Sequence, residues 1–111
     1  MKENQLPLSI FIITYNEETR IGDTLAACAE LSSDIIVIDS GSTDATLEIV
    51  KKYTNRIYYK DWEGYGPQKI YGESLCKHDW ILNLDADEIL LPEIKDSIRA
   101  VFEQDEVRRS A

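Results

Sequence analysis

Leu8-Ser9-Ile10-Phe11-Ile12-Ile13 is a run of aliphatic and aromatic residues with one small polar interruption. It is too short for a stable helix and does not alternate, so it reads as a strand buried on both faces. From Asn16 to Leu31 the pattern changes. Ile21, Leu25 and Cys28 fall on one stripe and acidic residues occupy the first turn, which predicts a helix. Asp34-Ile35-Ile36-Val37-Ile38 is a second buried strand, ending at Asp39. Ser40 to Asp44 is turn and cap chemistry, and Ala45 to Tyr53 reads as a helix capped by Ser42 or Asp44.

Arg56 to Tyr59 is a third strand, less apolar, as expected nearer a sheet edge. The stretch Asp61 to Pro67 is a loop, and Pro67 suits the first turn of a helix reaching about Cys76. Trp80 to Leu84 is a fourth strand, followed by Asp85-Ala86-Asp87-Glu88. Pro92 opens a last helix with Ile94, Ile98, Val101 and Phe102 on one face, and the polar stretch 103–111 reads as a frayed tail. Alternating strands and helices predict one α/β domain over 1–111. Its expected form is a Rossmann-like three-layer sandwich with a mainly parallel sheet of about four strands.

Composition narrows the partners. A formal net charge of -9 leaves no basic surface to replace the counterions of a nucleic acid, so none is expected as a partner. An anionic small ligand is still compatible if a metal or helix N-termini supply local positive potential. Cys28 and Cys76 are far apart, lack metal-ligand spacing and fall in expected helices. They read as buried reduced thiols, consistent with a cytoplasmic chain. The run from Leu8 to Ile13 is too short to span a bilayer.

Open parallel sheets bind ligands beyond the C-terminal ends of their strands. Three such ends carry polar, carboxylate-bearing segments: Thr14-Tyr15-Asn16-Glu17, Asp39 to Asp44, and Asp85 to Glu88. Asp85 and Asp87 suit a hard dication such as Mg²⁺ or Mn²⁺, which takes carboxylate oxygens and keeps positions open for substrate phosphate. The same tripeptide also reads as a solvated turn. Asp39 can meet a ligand hydroxyl or base edge, or close its own turn. Tyr15 can stack on a base or cover the strand end, and Thr14 can bond a base or its turn. Trp62 to Lys69 is a glycine-containing loop before a helix, suited either to an anion with Lys69 nearby or to a structural turn. His78, the single histidine, reads as a surface turn residue, so no nucleophilic triad can be assembled.

Taken together, Ile12 to Glu18, Val37 to Asp44 and Leu82 to Glu88 resemble family 2 glycosyltransferases of the GT-A fold. Gly64-Tyr65-Gly66-Pro67-Gln68-Lys69 further resembles a bacterial subgroup associated with lipopolysaccharide-core sugar addition. The resemblance implies that Thr14, Tyr15 and Glu17 line a nucleotide pocket, that Asp39 contacts base or ribose, and that Lys69 approaches base or diphosphate. It implies Asp85 beside the donor sugar or ribose, Asp87 holding Mg²⁺ or Mn²⁺, and inverting transfer from a nucleotide-diphosphate sugar to a glycan or lipid acceptor. It also implies a cytoplasmic place, at most peripheral at the inner face of the cell membrane. One departure is Ile70, where the subgroup has Asn after Gln-Lys.

Relatives of this pattern continue past the D-x-D segment with an acceptor-binding half that carries the catalytic base. No residue here matches that base, so catalytic residues are unassigned and a donor-binding half, incomplete for transfer, is expected. The alternative is a non-catalytic binding or assembly module on the same half-fold, pairing as a homodimer or with a partner through the exposed edge of strand four. A receiver-like phosphotransfer domain ranks lower, because Lys69 opens a helix instead of ending a strand.

Overall fold

The computed structural model describes residues 5–88 and 90–110, with side chains to residue 104. Its first strand, β1 (Leu8–Thr14), is buried at all seven positions. Both faces of β1 must therefore be covered, which the neighbouring elements do. β2 (Asp34–Asp39) and β4 (Trp80–Asp85) pair with β1 in parallel on either side, and β3 (Ile57–Tyr59) pairs with β2. The four-stranded parallel sheet runs β3-β2-β1-β4, so β4 lies at an edge.

Two apolar clusters sandwich this sheet. Ile10, Ile12, Ile35, Val37 and Leu84 face α1 (Ile21–Ala29) and α2 (Thr46–Val50). α4 (Pro92–Ser110) adds Phe102 and Ile98 to the same side. On the other face Phe11, Ile13, Ile36 and Ile38 meet Tyr71, on α3 (Tyr65–Ser74), and the residues that follow it. Period-two alternation sends adjacent residues of β1 to opposite layers. The three-layer α/β architecture expected from the pattern is the one observed.

Several boundaries differ for identifiable reasons. The first helix begins at Ile21, not Asn16, because Asn16 takes a left-handed turn at φ 50°. α2 ends at Val50 and α3 starts at Tyr65, two residues before Pro67. Cys76 falls just beyond α3 and is only half-buried. Cys28 is fully buried, and desolvation pushes its thiol up to about 12; both thiols are free. The helix α4 continues through Ser110, so the backbone of 103–110 is helical where a tail was expected. Its apolar face is only partly used: Phe102 is buried, whereas Ile94 and Val101 are exposed. No helix among the described residues is long and apolar enough to cross a membrane.

At the N-terminal end of the sheet a buried polar cluster ties four segments together. Asp34 accepts hydrogen bonds from Ser9 Oγ, Arg56 and the Lys77 backbone N–H, while Arg56 also donates to the Leu75 carbonyl. Ser9 Oγ in turn accepts from the His78 backbone N–H, which fixes the approach to β4. Burial alone would raise the Asp34 pKa. The hydrogen bonds from Ser9 and Lys77, with the Arg56 guanidinium, outweigh it and hold the carboxyl below its ordinary value.

Two outcomes follow. A Cβ built on Gly72 lies 2.3 Å from Phe11 Cδ1 and 2.6 Å from Cε1 of a ring that is 1% exposed. Gly72→Ala is therefore expected to destabilise by about 1–3 kcal/mol through overpacking, against the usual helix preference of about 1 kcal/mol for alanine; urea unfolding decides the sign. Because the Asp34 pKa is lowered in the fold, its contribution is present above the ordinary carboxylate value and is lost as pH falls through the lowered one. Asp34→Asn should flatten the acid side of the stability profile, measured by melting temperature against pH.

Candidate functional site

The site is built where strands stop. After β1, Asn16 carries the chain through its left-handed turn, and its side-chain oxygen accepts from the Thr43 N–H at 2.8 Å. Asn16 N donates to Ser42 Oγ at 2.9 Å, and Glu17 N donates to Thr46 Oγ1 at 2.9 Å. The turns after β1 and β2 are thus sewn to each other, which fixes the backbone from Thr14 to Glu17. Asp44 Oδ1 accepts from the Thr46 N–H at 2.9 Å just ahead of α2, but the N-cap position is Ala45 and makes no side-chain cap bond, so neither Ser42 nor Asp44 is the cap that the pattern predicts. Ser42 is used in the cross-turn stitch instead.

Asp39 sits at the end of β2, 2% exposed. Its Oδ2 accepts from the N–H groups of Gly41 and Ser42 at 2.9 and 2.8 Å, and its Oδ1 from Ser42 Oγ at 2.5 Å. Gly41, at φ 109°, supplies the backbone conformation this turn requires. The Asp39 side chain as placed closes its own turn.

The Asp85–Glu88 turn is held from two directions. Thr24, buried on α1, donates its hydroxyl to the Ala86 carbonyl at 2.8 Å, with the Glu88 carbonyl 3.0 Å away. Glu88 folds back so that its Oε1 accepts the Asp85 N–H at 2.8 Å. Asp87 projects outward, 3.7 Å from Arg20 in an exposed pair that contributes little stability. Burial raises the Asp85 pKa, as do the charges of Glu88 and Asp87, while Lys69 acts to lower it. The turn carries more negative charge than its surroundings compensate.

These segments border one cavity of about 530 Å³ at the C-terminal rim of the sheet, within the size range of small-molecule sites. Ile13, Thr14, Tyr15 and Glu17 line it from β1, and Ser40 from β2. Asp85, Ala86 and Asp87 line it from β4, and Trp62 and Tyr65 from the approach to α3. Of the residues expected at the site, Thr14, Tyr15, Glu17, Asp85 and Asp87 converge. Asp39 and Lys69 do not line the cavity, although Lys69 is close enough to act on Asp85. Thr14 Oγ1 is buried with no hydrogen-bond partner, an orphan that a ligand acceptor or donor at the rim would satisfy.

Neither motif nor spacing singles out Thr24, Ser40, Trp62 or Tyr65 as individual site residues. Thr24 is hidden by its place on an ordinary amphipathic helix. The two aromatics carried a signal, since large apolar residues in a glycine-containing loop before a helix have no core position to fill.

A parallel sheet sandwiched by helices, with a carboxylate-bearing cavity at its C-terminal rim, defines a Rossmann-like α/β domain. Residues 9–107 match the description Glycosyl transferase family 2, and the chain belongs to that family. An uncharacterized glycosyltransferase of Rickettsia conorii is 44% identical over 95 residues, covering 86% of this chain and 34% of that protein. A lipopolysaccharide core biosynthesis glycosyltransferase, LpsC, of Rhizobium meliloti is 43% identical over 94 residues, covering 78% and 33%. The crystal structure of S. aureus TarS 1-349 superposes with a TM-score of 0.71 at 25% identity, over 89% of this chain and 33% of that one. The chain therefore spans about a third of the length of these relatives.

Asp85 lies in the turn with a raised pKa, so ionising it costs stability in the fold: the cost is full above the raised value and vanishes below the ordinary value of 3.8. Asp85→Asn is expected to raise the melting temperature at neutral pH, with the gap to the parent closing as pH approaches 3.8. A lower melting temperature for the variant at neutral pH contradicts this account of the turn.

Proposed function

We propose that this chain is the donor-binding part of a glycosyltransferase that takes a nucleotide-diphosphate sugar together with Mg²⁺ or Mn²⁺. The observation that carries the proposal is the convergence of Asp85 and Asp87 on the same cavity as Thr14, Tyr15 and Glu17. Among the described residues no group of three or more His, Cys, Asp or Glu forms a metal cage. Mg²⁺-type sites need none, since one or two carboxylates suffice when substrate phosphate and water complete the shell. The donor set is oxygen-only, and its uncompensated negative charge at Asp85 fits a hard dication.

On this reading Asp87 and Asp85 hold the ion, whose chemistry is to neutralise the charge that grows on the departing nucleoside diphosphate. Thr24 and Glu88 fix the turn that presents these carboxylates. Thr14 offers its unpartnered hydroxyl to the nucleotide, Tyr15 its ring and Glu17 a further acceptor, while Lys69 faces the diphosphate from α3. Asp39 acts on the nucleotide by shaping the turn that borders it, or directly once a ligand draws its carboxylate away from Ser42. The acceptor is a glycan or lipid-linked sugar, as the similarity to LpsC supports, and it requires an acceptor-binding part beyond the residues described. The accompanying place is the cytoplasm, peripheral to the inner face of the cell membrane.

Titration calorimetry with UDP, GDP, CDP and ADP, with and without Mn²⁺, tests the reading. At least one should bind in a Mn²⁺-dependent manner. Asp87→Ala is expected to weaken that binding by roughly tenfold or more, the scale set by losing one charge-assisted ligand worth about 1.5–3 kcal/mol. Folded protein that binds none of the four refutes it.

A further inference from the structure

Resting on the donor-site reading above, we propose that Trp62 and Tyr65 form an aromatic wall on which the nucleobase of the donor stacks. Both rings line the cavity, and both are more than half exposed, at 52% and 56%. They meet edge to face, with centroids 4.9 Å apart and planes at 88°, so Tyr65 holds the Trp62 indole in a set orientation. Gly64, at φ 105°, lets the chain turn between them. The loop that carries Trp62 is braced by the Lys60–Glu63 ion pair at 2.6 Å, which spans it, and by the hydrogen bond from the Tyr59 hydroxyl to Asp61. These rings are therefore pre-positioned without being buried, a costly arrangement for core residues and a useful one for binding planar rings.

Their order along the chain favours the base over the sugar or the phosphates. Tyr65 and Lys69 are four residues apart on α3 and share a face. Lys69 is the cation that acts on Asp85. Along α3 the chain thus runs from an aromatic ring lining the cavity to a cation just outside it, near enough to act on the acidic turn. A nucleoside diphosphate presents the same sequence of chemistries, a flat base and then charged phosphates that a cation and a bound dication can meet. Tyr15, 56% exposed and from a separate element, adds a third ring to the same cavity.

The chain has two tryptophans, and the other, Trp80, opens β4 at the far end of the sheet beside Phe102, with centroids 5.2 Å apart. Trp80→Phe leaves Trp62 as the sole indole. Titrating that variant with UDP, GDP, CDP and ADP in Mn²⁺ should change its fluorescence with at least one of them, and pyrophosphate should not. Trp62→Ala in the otherwise unaltered chain, followed by calorimetry, should weaken that nucleoside diphosphate about 5- to 150-fold, the range for stacking one base on an aromatic ring. Pyrophosphate binding should persist and Trp62→Phe should restore most of the loss; circular dichroism checks that the variants fold. Unchanged nucleoside diphosphate affinity in Trp62→Ala overturns the proposal. So does a loss confined to the sugar-bearing donor, which would place the ring against the sugar. Absence of all nucleoside diphosphate binding in the unaltered chain is a different result, because it removes the donor-site reading itself.

Discussion

The central strand has no side that faces water, and most of the molecule follows from covering it. Every residue of β1 is buried, so its two faces demand separate layers: α1, α2 and α4 over Ile10 and Ile12, α3 over Phe11 and Ile13. The α3 contact is the tighter one, since only a residue without a Cβ lets the helix backbone come down on the Phe11 ring. A strand buried in this way cannot carry chemistry along its length. An unpaired polar side chain inside the sandwich costs several kcal/mol in an apolar medium, roughly 4–8 by transfer to a solvent that cannot hydrogen-bond. The polar groups of β1 are therefore confined to Ser9 near one end and Thr14 at the other.

The two ends are treated differently. At the N-terminal end Ser9, Asp34 and Arg56 form a closed cluster in which the buried carboxylate accepts from a hydroxyl, a guanidinium and a backbone amide. Such a network is structural: it joins β1, β2, the start of β3 and the approach to β4, and it has nothing left to offer a ligand. At the C-terminal end the reverse holds. The Thr14 hydroxyl has no partner, the Asp85 carboxyl is pushed up by burial and by like charges, and two large aromatic rings stand in solvent. On the proposed donor-site reading, these are costs that a bound ligand would satisfy.

The fold was largely legible because its signals are collective. Four apolar runs of the right length, separated by helical spacing, specify a parallel α/β sheet whatever the individual residues do. The carboxylate turn at Asp85 and Asp87 was legible for the same reason, since a strand end is a defined place in such a sheet. What escaped was decided by single side chains. Asn16 looks like a helix start until its side chain is seen accepting from Thr43, which draws the backbone into a left-handed turn and delays α1 to Ile21. Asp39 can meet a ligand or close its own turn, and only the side-chain placement shows its oxygens accepting from Gly41 and Ser42. Period and composition carry no information about which of two nearby donors a carboxylate will find.

Thr24 shows how this limit bears on function. In sequence it is one polar residue in a helix whose stripe is carried by Ile21, Leu25 and Cys28. In the fold it is buried, and its hydroxyl reaches 62 residues along the chain to the Ala86 carbonyl between the two aspartates. The helix that covers one face of β1 therefore also fixes the turn that carries the site's charge. Core packing and site geometry are not independent layers here: a shift of α1 on the sheet moves Thr24, and with it the backbone that presents Asp85 and Asp87. The same coupling runs through α3, where Gly72 sets the depth of the helix on Phe11 and the helix start carries Tyr65 and, one turn on, Lys69. Both walls of the cavity are thus positioned by their contact with a single buried strand, which is why a site made of loop ends can be held to a defined shape without a core of its own.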